Sequence, residues 1–97
     1  MQAAILSQLL DLICDLYEDT EGVYERFDDL QLWYNRGYAN GVIDGLAELG
    51  YRPQVESAID PDPADVIGGQ EALPWGNAYR HGWEMGRRET GEVMGEG

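Results

Sequence analysis

Ile5, Leu9, Leu12, Ile13 and Leu16 recur at steps of 4, 3, 1 and 3, the spacing of one face of an α-helix. Ser7, Asp11, Asp15 and Glu18 fall on a separate polar stripe. A first helix is therefore predicted over residues 2–18, ended by the break Glu18 to Gly22. Val23, Phe27, Leu30 and Tyr34 follow at steps of 4, 3 and 4, and the pattern runs on towards Leu46 and Leu49. This predicts a second helix over residues 22–50, continuous or kinked near Asn35 to Gly37. Gly50, then Tyr51 and Pro53, reads as its stop. Residues 53–73 hold Pro53, Pro61, Pro63 and the pair Gly68-Gly69 and read as a connector. Within it, Asp62 as N-cap, Pro63 at the first helical position and Gly68 as the stop predict one short helical turn. A third helix is predicted over residues 74–88, packing through Trp75, Ala78, Tyr79, Gly82, Trp83 and Gly86, with a flexible glycine-rich tail over 89–97. No segment alternates as a strand. The expectation is a single all-α domain: a small bundle of three main helices plus a short helical turn in a Pro/Gly-rich connector.

One stretch strains that pattern. In "WYNRGYANGVIDG", Gly37, Gly41 and Gly45 lie four residues apart inside a predicted helix. Each costs roughly 1 kcal/mol relative to alanine. The stretch has an echo: Tyr34-x-x-Gly37-Tyr38-x-x-Gly41 matches Tyr79-x-x-Gly82-Trp83-x-x-Gly86. Residues four apart share a helix face, so each copy carries a smooth glycine strip flanked by aromatics. Two such strips can approach more closely than ordinary helices, with Trp33, Tyr34, Tyr38, Tyr79 and Trp83 as walls. Whether they meet within one chain or between two copies stays open, a homodimer included.

At "RGYANG" and "GNAYRHGWEMGRRE" the chain resembles the ribosome modulation factor family. Arg36, Gly37, Tyr38 and Gly41 match its first-helix Arg-Gly-Tyr-x-x-Gly motif, and Gly82-Trp83 match its second-helix Gly-Trp. The resemblance covers about residues 33–88. It implies a related helical architecture and, as one functional option, a ribosome-associated or regulatory adaptor. The connector here is longer, and an acidic N-terminal region is added.

Charge changes the picture most. Against 19 acidic residues stand 6 basic ones, all arginine, for a net charge of −13. The resembled family is strongly basic and holds ribosomal RNA; this chain has the opposite sign. Direct nucleic-acid binding needs Lys/Arg to neutralise phosphates, and an acidic surface is repelled by anionic lipid. A basic protein partner is favoured instead. The charge is uneven: residues 1–65 carry net −11 and residues 66–97 net −2. Its densest part comprises Asp11, Asp15, Glu18, Asp19, Glu21, Glu25, Asp28 and Asp29. On a helix, Asp11 and Asp15 are about 6 Å apart along the axis and Asp11 and Glu18 about 10 Å. Carboxylates so spaced can occupy roughly every second or third phosphate position of a DNA strand, at one per ~3.4 Å. In size and acidity the chain resembles phage-encoded anti-CRISPR and anti-restriction DNA mimics.

Catalysis finds little support. His81 is the only histidine, and no serine sits on a nucleophile elbow. His81 and Glu84 are too few to hold a metal. Asp60, Asp62 and Asp65 lack calcium-loop spacing and read as capping and turn residues. The helical glycine spacing without a lysine is no phosphate loop. Cys14 reads as a small core hydrophobe, and Arg87 and Arg88 as cations ending the last helix. No cofactor and no metal are expected. The apolar N-terminal run, broken by Asp11 and Asp15, predicts neither signal peptide nor membrane span. The sequence thus predicts a cytoplasmic (host-cytoplasmic, if viral), non-enzymatic interaction protein. Its acidic surface would occupy the nucleic-acid-binding surface of a basic protein or effector complex.

Overall fold

A computed structural model of the chain describes residues 2–63 and 66–95. The described residues are all-helical, in the order α1 (Gln2–Asp19), a 3-10 turn (Val23–Glu25), α2 (Leu30–Glu48), α3 (Arg52–Ala58) and α4 (Pro74–Gly95). The fold is organised around α2 and α4, which run parallel in close contact. Gly37 lies against the backbone of Tyr79, Gly41 against that of Trp83 and Gly45 against Thr90.

The closeness can be measured by what a side chain would meet. A Cβ on Gly37 would stand 2.0 Å from the Tyr79 carbonyl oxygen, and one on Gly41 2.1 Å from that of Trp83. In return, a Cβ on Gly82 would stand 2.1 Å from the Tyr34 carbonyl oxygen, and one on Gly86 2.2 Å from that of Tyr38. With a carbon–carbon bond of about 1.5 Å, each glycine Cα lies within about 3.7 Å of a carbonyl on the facing helix, near the range of Cα–H···O contacts. The four contacts are reciprocal. Under the 45-residue offset of the sequence echo, Gly37 maps to Gly82 and Tyr79 to Tyr34. The joint therefore has approximate two-fold symmetry about an axis running along the helix pair.

The hydrophobic core divides around this joint. At one end, Ile13 of α1, Val42, Ile43 and Leu46 of α2, Val55 of α3 and Met94 of α4 are buried together. At the other, Val23, Trp33 and Tyr79 are buried, with Trp75 and Trp83 packed against them. A residue on α1 that points at α2 lies opposite Asp11, Asp15 and Glu18, which are all exposed.

Three boundaries differ from the sequence reading. The second helix starts at Leu30, not near residue 22. Gly22 adopts φ 81°, the chain makes a single 3-10 turn, and the Asp29 side chain accepts a hydrogen bond from the Leu32 amide at 3.1 Å as N-cap. Val23 and Phe27 thus mimic a helical spacing from outside the helix. The connector of residues 53–73 begins with a helix, because Pro53 sits in the first turn of α3, where proline starts helices rather than ending them. A Schellman turn separates α2 from α3: the Tyr51 amide donates to the Leu46 carbonyl at 2.9 Å and the Gly50 amide to that of Ala47 at 3.1 Å. The Asp62 carboxylate is taken by Arg36 and Asn40, and residues 66–69 form turns; the helical turn expected after Asp62 falls partly on residues 64 and 65, outside the described residues. Asp65 lies outside the described residues. Finally, α4 continues through the expected tail to Gly95, because Thr90 packs on Gly45 and Met94 enters the core. Residues 96 and 97 of that tail are not described. Arg87 and Arg88 are accordingly within α4 rather than at its end.

The joint gives a paired test. Gly41→Ala must push the Trp83 carbonyl away and should cost about 2–3 kcal/mol, despite alanine's better helix propensity. Gly91, also in α4, has nothing within 4 Å of its would-be Cβ. Gly91→Ala should stabilise by up to about 1 kcal/mol. Thermal unfolding of the two variants should move in opposite directions.

Candidate functional site

Seven of the eight carboxylates singled out by the sequence are solvent-exposed. Asp11, Asp15, Glu18 and Asp19 project from α1, Glu21 follows it, Glu25 ends the 3-10 turn and Asp28 precedes α2. Asp29 differs: it is half-buried, caps α2 and lies 3.6 Å from Arg26. Its carboxylate is committed to the fold, so it is set apart from the acidic surface.

Every arginine is also committed. Arg26 pairs with Asp29, Arg36 with Asp62, Arg52 with Glu56, Arg80 with Glu84, Arg88 with Glu92, and Arg87 with both Asp44 and Glu48. None of these pairs involves Asp11, Asp15, Glu18, Asp19, Glu21, Glu25 or Asp28. Among the described residues, none of these seven carboxylates is in an ion pair, and the one cation within their segment, Arg26, turns to Asp29 with its side chain 60% exposed.

Within this acidic segment stand two aromatic side chains. Phe27 is 52% exposed and Tyr24 42% exposed. Neither hangs free. Phe27 stacks on Trp33 with centroids 5.6 Å apart and meets Trp75 edge-on at 5.1 Å, while Tyr24 meets Trp33 edge-on at 5.7 Å. Trp33 is itself fixed by its indole N–H donating to the Arg26 carbonyl at 3.1 Å. The aromatic pair is thus a supported apolar step with Glu21, Glu25 and Asp28 as sequence neighbours.

A buried polar clamp fixes this region to the helix pair. Arg36, only 8% exposed, donates through Nε to Asp62 at 2.8 Å and through Nη2 to its other oxygen at 3.2 Å. Its Nη1 donates to the Thr20 hydroxyl at 2.8 Å and to the Tyr17 carbonyl at 3.3 Å. The guanidinium also lies 3.7 Å from the centre of the Tyr17 ring. The Tyr17 hydroxyl donates to Asn40 and accepts from the Asp62 amide, and the Asn40 amide donates to Asp62 at 2.9 Å and to the Tyr79 hydroxyl at 2.8 Å. One network therefore joins α1, α2, the connector and α4. Burial pulls Asp62 towards neutrality, but the bonds from Arg36 and Asn40 outweigh it and hold the carboxyl below its ordinary value. The sequence reading placed Arg36 in a motif and Asp62 at a cap; their pairing across 26 residues leaves no local signature.

The residues of the glycine motif are occupied by structure. Gly37, Gly41, Gly82 and Gly86 make the crossing, with Gly45 against Thr90. Tyr38 donates its hydroxyl to Glu89, Trp83 lies beneath Arg87 at 5.6 Å, and the Tyr34 ring meets His81 edge-on at 5.7 Å. His81 is exposed. Cys14 is half-buried, not fully in the core, with Sγ 4.0 Å from the Ala58 carbonyl. Among the described residues, no group of three His, Cys, Asp or Glu side chains could hold a metal, and no helix is long and apolar enough to cross a membrane.

Asp62→Asn leaves Arg36 buried without its counter-charge and should cost about 3 kcal/mol at neutral pH. A carboxyl with a depressed native pKa stabilises fully above its unfolded value of 3.8 and loses that contribution as pH falls through the native value. The gap in unfolding free energy between wild type and Asp62→Asn should therefore be constant from pH 7 to 5. It should shrink below about pH 4, as followed by urea denaturation.

The chain matches no protein-family model, no curated protein and no solved structure.

Proposed function

We propose that this protein is a small acidic inhibitor of the phage-encoded anti-CRISPR or anti-restriction type. It occupies the nucleic-acid-binding surface of a basic host protein in the cytoplasm, presenting carboxylates where that surface accepts phosphates. The observation that carries this reading is the segregation of charge. Each of the six arginines has its carboxylate elsewhere, four of them in exposed pairs along the chain, while Asp11, Asp15, Glu18, Asp19, Glu21, Glu25 and Asp28 have no arginine partner. Seven exposed carboxylates with one arginine among them attract a basic partner from a distance and speed encounter. Phe27 and Tyr24 supply what charge alone lacks, an apolar anchor that a partner can bury. The role is non-catalytic and needs neither cofactor nor metal.

A ribosome-associated or regulatory adaptor would draw its support from the modulation-factor motif. Gly37, Gly41, Gly82 and Gly86 are consumed in the helix crossing, so the motif speaks for the fold and not for a partner.

The test uses phage plating on cells with active CRISPR or restriction immunity that express this protein. Wild type should restore plating, and its complex with the purified effector should weaken with salt and be competed by duplex DNA. The triple charge reversal Asp11→Lys, Asp15→Lys, Glu18→Lys lies on exposed positions and should leave folding intact while abolishing both effects. Unchanged binding and plating would overturn the proposal. Salt-resistant co-sedimentation with ribosomes would replace it with the adaptor.

A further inference from the structure

Among the described residues Phe27 is the most exposed large apolar side chain, at 52%. Its ring is supported from within: Trp33 stacks against it at 5.6 Å and Trp75 meets it edge-on at 5.1 Å. The open half is turned away from both. Tyr24 is already engaged, with Trp33 edge-on at 5.7 Å and the Arg36 guanidinium 5.8 Å from its ring centre. Phe27 therefore offers an aromatic surface held in place before any partner arrives, which lowers the ordering cost of binding.

Two arginines of the molecule show what such rings receive. Arg36 lies 3.7 Å from the centre of the Tyr17 ring while bonding both oxygens of Asp62. Arg87 lies 5.6 Å from the centre of the Trp83 ring while pairing with Asp44 and Glu48. In both, one guanidinium meets an aromatic face and a carboxylate together, as a planar, weakly hydrated cation can. Phe27 has the ring and the carboxylates. Asp28 follows it directly, with Cα atoms about 3.8 Å apart, and Glu25 lies two residues before it. Both are exposed and in no ion pair among the described residues. Arg26 turns to Asp29 at 3.6 Å, and no arginine among the described residues lies over the Phe27 ring.

Charge decides the occupant. A second copy of this chain, with its net charge of −13, would set Glu25 and Asp28 against carboxylates of the same sign. An apolar partner side chain would cover the ring but strip water from the carboxylates beside it without replacing that water. A guanidinium satisfies the ring and the carboxylates at once. We infer that Phe27 is the docking platform for an arginine side chain of a basic protein partner. The guanidinium lies on the open part of the ring and bonds Asp28 or Glu25. The inference rests on the reading that the acidic segment meets a basic protein, and not on which host system that protein serves.

The test compares two peptides of equal charge, hexa-arginine and hexa-lysine, titrated into isotope-labelled full-length protein and followed by two-dimensional NMR. Long-range attraction is the same for both, so their difference reads the local contact. Hexa-arginine should shift the Phe27 ring and the Asp28 amide in a saturable way. It should bind about two- to fivefold tighter than hexa-lysine. Phe27→Leu keeps an apolar side chain against Trp33 and should bring the two peptides to equal affinity, with binding through charge retained. Asp28→Asn, at an exposed position, should narrow the arginine preference and leave the thermal midpoint near wild type. Equal affinity of the two peptides for wild type, or a preference that survives in both variants, would overturn the inference and leave the acidic-face reading standing. Binding of neither peptide would overturn both. Self-association lost in Phe27→Leu would assign the ring to a second copy and overturn the inference alone.

Discussion

Everything in this molecule depends on two helices approaching until backbone touches backbone. At Gly37, Gly41, Gly82 and Gly86 a single added carbon would collide with a carbonyl of the facing helix. Helices usually rest on side chains with axes 8–10 Å apart. Here the glycines remove that spacer, and aromatic residues beside the strips enclose the contact. Trp33 is 1% and Tyr79 6% exposed. The propensity lost at the glycines, roughly 1 kcal/mol each, is offset by close packing and by the aromatic area that closes around the crossing.

The parallel sense of this pair dictates the rest of the topology. Neighbouring helices in a small bundle are commonly antiparallel and joined by a short loop. A parallel pair requires the chain to return along its full length, and α3 with the following connector makes that return. Such a segment needs an attachment, and the Arg36–Asp62 pair provides it at 2.8 Å with almost no solvent exposure. The same arginine bonds Thr20 and the Tyr17 carbonyl. One side chain on α2 thereby fixes both the return segment and the end of α1, from which the acidic face projects. The acids can stay unpaired because the fold draws its polar cohesion from elsewhere.

How much of this could be read from sequence depends on the range of each interaction. The α1 stripe was legible because helical periodicity alone separates Asp11, Asp15 and Glu18 from Ile13, which is 1% exposed. The glycine strips were legible because repeated glycine at helical spacing has few uses besides close approach. The start of α2 was not, because Val23 and Phe27 keep a helical spacing while Gly22 and the Asp29 cap break the helix between them. Pro53 belongs to the stop that ends α2, as its place after Gly50 implies; that it also opens α3 is decided only by the turn that follows it. Arg36 and Asp62 could not be paired at all, since their contact spans 26 residues and follows from the return of the connector. Nor could Asp29 be separated from its acidic neighbours without seeing the amide it caps.

The parallel joint also governs how the chain must fold. When Gly37 meets Tyr79, it closes a loop of 42 residues, and the entropy of that closure is lost before the contact returns anything. Helical proteins normally fold fast because their contacts are local. In this chain the helices are local but the contact that organises them is not. Neither helix can rest half-way, because a glycine strip gains little until the opposing carbonyls are in register. Assembly is therefore close to all-or-none, and α1 docks chiefly on α2, on a surface that Met94 of α4 completes.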